Sequence, residues 1–400
     1  MQALLDDTAA IAPPGEGVAA PLPRASDRLE GFLSRTSRPT PFLAIDTAVV
    51  VEKYDALAEA LPGCEIYYAI KANPLPAVVE ALASRGSAFD IASEAELRQC
   101  LDAGIPADRL SFGNTIKTPC AIAAAHRAGV RDFSVDCHEE LEKLAAHAPG
   151  SRVTVRLATT GRGAEWPLSR KFGCDPSTAF DLMERARARR LVPHGVSFHV
   201  GSQQTDPGEW DGPIAVAATL FNRLRAQGIA LEYLNLGGGF PARYRADVPS
   251  ISTFGEGILA AVGRHFGRRR PRLMAEPGRY LVAEAGVLRT TAVLVARRAS
   301  LCPARWVYLD CGRFGGLAET ADEAIKYPVR AVGRTGALER VALAGPTCDS
   351  ADILYERTPY YLPDDLASGD CVDILSAGAY TQTYSAVAFN GFAPLDVVAV

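Results

Sequence analysis

The stretch Ile66-Tyr67-Tyr68-Ala69-Ile70-Lys71-Ala72-Asn73-Pro74, followed by the segment Pro76–Ser84, reads as one unit of a repeating architecture. Its first five residues form a short apolar run of β type, bounded by a proline-containing turn. Val78, Val79 and Leu82 then fall at helical spacing and can face a sheet. A strand followed directly by an amphipathic helix is the building block of a parallel α/β fold.

The same rhythm extends outward from this unit, beginning near Pro41. Strands are expected at Ile66–Ile70, Ala88–Ala92, Leu110–Phe112, Asp132–Val135, Val153–Leu157, Gly195–Val200, Leu231–Leu236 and Arg272–Ala275. Helices are expected between them, at Pro76–Ser84, Glu94–Ala103, Pro119–Ala128, Glu139–Ala148, Thr178–Arg189 and Pro213–Gln227. About eight such strands are what a closed (β/α)8 barrel of the TIM type requires. Beyond Val282 the texture changes. Strand-like runs at Val287–Ala296, Trp306–Asp310, Val329–Val332, Arg340–Ala344 and Cys371–Leu375 follow with few helical patterns, which reads as a second, all-β barrel or sandwich domain. The expected organisation is a flexible tail over 1–34, rich in Ala, Pro and Gly, a barrel over 35–282, and a β domain over 283–400. The leading strand near 38–46 is expected to join the β domain.

Composition narrows the function. Of the 400 residues, 48% are hydrophobic and 22% charged, enough to bury a large core. The 46 acidic and 42 basic residues leave a net charge of −4, which argues against nucleic acid or an anionic membrane as partner. The Arg268-Arg269-Arg270 run before Pro271 reads as a solvated loop. Nine cysteines, an odd number without C-x-x-C spacing, speak against a disulfide framework and a structural zinc site. The opening Met1-Gln2-Ala3-Leu4-Leu5-Asp6-Asp7 has no signal-peptide pattern, and no segment approaches ~18 consecutive apolar residues. A cytoplasmic enzyme is the expectation.

In a barrel, chemistry gathers at the C-terminal ends of the strands. This sequence places there Lys71, Asp90, Arg156, His199 with Gly201-Ser202, the triplet Gly237-Gly238-Gly239, and Glu276-Pro277-Gly278-Arg279. A lysine ending a buried strand either snorkels, pairs or reacts, and an amine in a partly dry site forms a Schiff base with an aldehyde such as pyridoxal phosphate. The triplet formally fits G-x-G-x-x-[GA], but Pro241 sits where a helix should open. A tight turn or a cradle of backbone N–H groups for phosphate remain as readings. Glu276 and Arg279 either pair with each other or divide the work, the carboxylate on a pyridinium nitrogen and the guanidinium on phosphate. His199 alone reads as a hydrogen-bonded core histidine or as a catalytic one.

Together, Tyr68–Asn73, His199-Val200-Gly201-Ser202-Gln203, Gly237–Pro241, Glu276–Tyr280, Gly345-Pro346-Thr347-Cys348-Asp349-Ser350, Gly378-Ala379-Tyr380-Thr381 and Phe389-Asn390-Gly391-Phe392 carry a resemblance. They resemble the basic amino-acid decarboxylases of alanine-racemase-like fold, in the ornithine decarboxylase group, over roughly residues 38 to 400. The resemblance implies pyridoxal phosphate as cofactor, held by Lys71, with Glu276 at the pyridine nitrogen and His199 stacked on the ring. It assigns the phosphate to Ser202, Gly237, Gly238, Gly239, Arg279 and Tyr380, and the ordering of lysine and ring to Asp90, Glu96 and Arg156. Cys348 matches the group that returns a proton to the α-carbon, although it could also be one more small hydrophobe. Asp349, a second acid at Asp322 or Glu323, and Phe389 match substrate positions. Lys171 and Asp352 match a pair across the interface of a homodimer with shared active sites. Phe314 departs from the tyrosine of eukaryotic members. The implied reaction is L-ornithine to putrescine and carbon dioxide. Dual lysine/ornithine decarboxylation, diaminopimelate decarboxylation, racemisation and a non-catalytic regulatory paralogue are the alternatives.

Overall fold

Parallel strands bury both faces, so they need helices on one side and closure or a second helical layer on the other. The computed structural model describes residues 23–166, 171–298 and 304–400, and shows closure. After helix α1 (Asp27–Arg35) and strand β1 (Phe42–Ile45), eight strands form the ring. They are β2 (Cys64–Ala69), β3 (Ala88–Ile91), β4 (Leu110–Phe112), β5 (Asp132–Val135), β6 (Arg152–Arg156), β7 (Val192–Ser197), β8 (Tyr233–Asn235) and β9 (Arg272–Ala275). Each pairs in parallel with the next, and β9 returns to β2 with Ala275 opposite Ile66. Helices start where their sequences say they should. Proline occupies the first turn at Pro76, Pro119 and Pro176, and Ser93, Thr118, Asp175 and Ser250 accept N-terminal amide protons.

The remaining strands are β10 (Gly286–Arg297), β11 (Arg305–Leu309), β12 (Val329–Ala331), β13 (Leu338–Ala344), β14 (Ile353–Pro363), β15 (Cys371–Leu375) and β16 (Asp396–Ala399). They curl into a mainly antiparallel sheet in the order β12-β15-β10-β11-β13-β14. Strand β1 joins this sheet, as the sequence leads one to expect, lying between β10 and β16. Strand β14 escapes a reading by periodicity because Glu356-Arg357-Thr358-Pro359 interrupts its apolar pattern, and its register against β13 shifts twice. No helix among the described residues is long and apolar enough to cross a membrane.

The flexible tail expected over 1–34 needs a correction; residues 1–22 lie outside the described residues, but 27–34 are helical. Ser26 Oγ accepts the Leu29 N–H at 3.2 Å, and Leu29 and Leu33 are buried against Phe42, Ala44, Val287 and Leu375. The surrounding Ala/Pro/Gly composition masks this short amphipathic stretch. An ionic chain fixes it further: Arg330 spans Glu30 (2.6 and 2.8 Å) and Asp373 (2.9 Å). Asp373 is fully buried and also accepts from Nε and Nη2 of Arg289, at 2.8 and 3.0 Å.

Two buried or half-buried guanidinium groups thus share one carboxylate. Removing a partner from such a group costs about 3–5 kcal/mol. Asp373→Ala is therefore expected to lower the melting temperature of the sheet by several degrees in calorimetry, whereas an unchanged melting curve would show the network to be dispensable.

Candidate active site

Register in the barrel decides which side chains meet. Ala69 lies opposite Asp90, and the chain turns immediately afterwards through a 3₁₀ turn, Ile70–Ala72, that lifts Lys71 above the end of β2. Lys71 Nζ comes within 3.2 Å of Asp90 Oδ2, and the Gly113 N–H holds Asp90 Oδ1 at 3.0 Å. Half of the Lys71 side-chain surface faces a cavity of about 280 Å³. That cavity is also lined by Asp90, Arg156, His199, Ser202, Gly238, Gly239, Glu276, Arg279 and Tyr380. The structure thus brings the expected barrel-rim set together around one opening, except Gly237, whose N–H is turned to Asn235 Oδ1 and which does not line it.

Burial alone would lower the Lys71 ammonium, but Asp90, Tyr380 and Glu276 outweigh it and hold its pKa above the ordinary value. Burial and the neighbouring Asp90 push the Glu276 carboxyl up to about 7, against the pull of Lys71, Asn235 and Arg156. His199 is driven well below its ordinary range by burial and by the charges of Arg156 and Lys71. Its imidazole is therefore neutral. The Gly201 N–H donates to His199 Nδ1 at 3.0 Å, which leaves the ring proton on Nε2. Burial also lowers the Arg156 guanidinium, which lies 4.9 Å above the Phe172 ring.

The glycine triplet follows β8 as a loop with no helix directly behind it, so the dinucleotide pattern has no structural counterpart. A Cβ at Gly238 would lie 2.6 Å from the Glu276 carbonyl oxygen, and one at Gly239 2.5 Å from that of Gly201. Among the described residues, the N–H groups of Gly238 and Gly239 meet no protein acceptor. Beside them Arg279 is buried and its donors are engaged. Nε and Nη2 donate to Ser202 Oγ at 3.2 and 3.0 Å, and Nη1 to the Tyr244 hydroxyl at 2.8 Å. Glu319 accepts from Nη1 and Nη2 at 2.8 and 2.6 Å. A small cradle of unpaired N–H groups, a fixed guanidinium and an amine lining the same cavity fit an aldehyde-bearing phosphate ester such as pyridoxal phosphate.

Other expected residues lie elsewhere. Glu96 does not line the cavity; its carboxylate accepts the Ala92 N–H at 2.5 Å and so shapes the loop after Asp90. Cys348 and Asp349 sit exposed on a β-domain loop outside the cavity of their own chain. Asn390 Oδ1 accepts the Cys348 N–H at 3.1 Å, with Sγ 3.4 Å away. Phe389 packs on Phe314 at 4.7 Å between ring centres, in a separate apolar cleft with Phe392. Of the two candidate second acids, Glu323 is corrected: it accepts the N–H groups of Glu356, Arg357 and Thr358 at 2.7–2.8 Å, which hold its carboxyl down to about 2 despite burial. Asp322 is exposed, with φ of 52°. Asp352 is buried in its own chain, accepting from Thr347 and Arg313.

Two residues escape the sequence reading. Glu319 carries no motif that marks it. Asn235, two residues before the glycine triplet, is a polar residue closing an apolar strand, which is a usable signal. A larger cleft of about 580 Å³ adjoins the barrel rim between 157–162 and 208–216, but its charged lining, Arg162 and Glu209, is self-paired at 3.0 Å.

A barrel whose mouth pairs a lysine with an aspartate, in one cavity with a glycine loop whose N–H groups are free of protein acceptors among the described residues, suits a pyridoxal-phosphate enzyme. The chain belongs to the pyridoxal-dependent decarboxylases: residues 47–283 match the family's pyridoxal binding domain. It is an amino-acid decarboxylase dependent on pyridoxal phosphate, of the group acting on basic amino acids. It is 32% identical to the lysine/ornithine decarboxylase of Selenomonas ruminantium, over 88% of each chain. It is 31% identical to the ornithine decarboxylase of Schizosaccharomyces pombe, over 84% of this chain and 78% of that one. The lysine/ornithine decarboxylase of Vibrio vulnificus, solved with cadaverine, superposes with a TM-score of 0.84 at 32% identity, covering 94% and 100% of the two chains.

A carboxyl raised from 4.5 to about 7 binds its proton more tightly in the folded chain than in the unfolded one. Between those values the fold therefore loses stability as pH rises, and the full cost is present above about 7. In protein stripped of cofactor, Glu276→Gln is expected to gain melting temperature relative to wild type on going from pH 5 to pH 8. Parallel melting temperatures across that range would contradict the assignment.

Proposed function

We propose that this chain decarboxylates L-ornithine to putrescine. The observation that carries the reading is the gathering of Lys71, Asp90, Glu276 and a neutral His199 around one cavity, with Asp349 beside Cys348 on the β domain. Bound pyridoxal phosphate supplies an aldehyde for the amine and a ring that accepts the electron pair left when carbon dioxide departs. Lys71 holds the cofactor by its amine, with Asp90 keeping Nζ in place. Glu276 presents a carboxylate to the pyridine nitrogen. His199, uncharged, covers the ring face without competing for electrons. Ser202, Gly237, Gly238, Gly239, Arg279 and Tyr380 enclose the phosphate. Cys348 would return a proton to the substrate's α-carbon, and Asp349 would pair with its terminal ammonium, assisted by Asp322 and with Phe389 lining the approach.

Cys348 and Asp349 are exposed and outside their own chain's cavity, with Asn390 at hydrogen-bond distance from Cys348, and Val387 and Phe392 are exposed on the same domain. A second copy related by a two-fold axis would bring them to the other barrel, so we propose a homodimer with two composite sites. Dual use of lysine is the second reading, favoured by the names of the Selenomonas and Vibrio relatives. One methylene is worth only about 1–3 kcal/mol of discrimination.

Carbon dioxide release from L-ornithine, L-lysine, L-arginine and meso-diaminopimelate decides between these. Ornithine is expected to give the highest kcat/KM; equal values for lysine establish dual specificity, and a preference for diaminopimelate overturns both readings. Composite sites are tested by mixing Lys71→Ala and Cys348→Ala chains in equal amounts with subunit exchange. Half the dimers then carry one intact site, and activity is expected to recover to about a quarter of wild type. Activity remaining at the level of the separate variants, with exchange confirmed, excludes sharing.

A further inference from the structure

We infer that Asn235 is the positioning residue for Glu276, using one amide to present a donor to that carboxylate and to set the glycine turn beside it. The inference rests on the reading of Glu276 as the partner of the pyridine nitrogen. Asn235 closes β8 and is 2% exposed. The Gly237 N–H donates to its Oδ1 at 2.9 Å, and its Nδ2 donates to Glu276 Oε1 at 2.6 Å. A backbone N–H can only donate, so the amide has one permitted orientation, oxygen toward Gly237 and nitrogen toward Glu276. The Glu276 N–H in turn donates to the Gly237 carbonyl at 2.8 Å. Three hydrogen bonds thus close a ring through Asn235, Gly237 and Glu276, and Gly237 has φ of 68° within it.

The contact has an electrostatic purpose. Among the described residues Asn235 is the one hydrogen-bond donor to the Glu276 carboxylate; Lys71 and Arg156 act on it only through space. Burial and Asp90 both favour the protonated acid, and a donor on Oε1 favours the carboxylate. A protonated ring nitrogen needs the carboxylate. On its other side Asn235 lines a polar cavity of about 290 Å³ at the opposite end of the barrel, with Asp132, Arg152 and His194. Its side chain therefore stands between Glu276 and that second cavity.

The test uses Asn235→Asp, which keeps an acceptor for Gly237 and replaces the donor facing Glu276 by a second carboxylate. Wild type, Asn235→Asp and Glu276→Gln are stripped of cofactor and titrated with pyridoxal phosphate between pH 6 and pH 8.5, following cofactor absorption. Asn235→Asp is expected to bind at least about tenfold more weakly at pH 8, the scale of one hydrogen bond to a charged group. The deficit should narrow toward pH 6, where the acid pair takes up a proton and regains a donor. Wild-type affinity and an unaltered pH response in Asn235→Asp, with Glu276→Gln impaired, would overturn the inference about Asn235 alone. Unimpaired binding and spectrum in Glu276→Gln would overturn the reading of Glu276 and the inference with it. If Asn235→Asp does not fold, Asn235→Asp combined with Glu276→Gln restores one donor facing one acceptor. Recovery of a wild-type melting temperature in that pair supports the inference, and continued failure to fold overturns it.

Discussion

Lys71, Asp90, Glu276 and Arg156 are among the ionisable groups that share the mouth of one barrel. Any one of them left alone there would be expelled to solvent or neutralised. Their coexistence depends on strand register, because Ala69 opposite Asp90 brings the lysine and its counter-ion to the same height. The rest of the molecule secures that register. Helices cover the outside of the ring, β9 closes it against β2, and the β-domain turn that delivers Glu319 clamps Arg279 from the far side.

The electrostatic balance also divides labour among groups of similar chemistry. Asp90 carries a lysine and a backbone N–H as partners, while Glu276 carries one amide and accumulates the strain of burial. One carboxylate is thereby committed as a counter-ion, and the other is left responsive to whatever enters the cavity. His199 contributes no charge because burial, and after it the charges of Arg156 and Lys71, disfavour its protonated form. The site is tuned by arrangement rather than by unusual residues.

Much of this was legible before any coordinates. Parallel strands buried on both faces announce themselves as short apolar runs, and the eight found by pattern are the eight of the ring, with Leu110–Phe112, Asp132–Val135 and Arg272–Ala275 matching to the residue. The rim residues followed because strand ends in a barrel converge. What escaped shares a different physics. Strand β14 is interrupted by polar residues whose backbone is paid back by the Glu323 carboxylate, a long-range contact with no periodic trace. Helix α1 is too short for its two buried leucines to stand out from an Ala/Pro/Gly background. Glu319 matters through Arg279, forty positions earlier, and no local pattern encodes such a pairing.

The ion pair between Arg279 and Glu319 also has a meaning in time. Synthesis completes the barrel, including Arg279 on its rim, before residue 319 and the strands around it exist. During that interval the barrel holds a guanidinium whose anionic partner has not been made, beside a glycine loop still open to solvent. On the proposed reading, the phosphate site is finished from outside, by a turn of the second domain. A barrel truncated before residue 319 would keep Arg279 without the carboxylate that fixes its orientation.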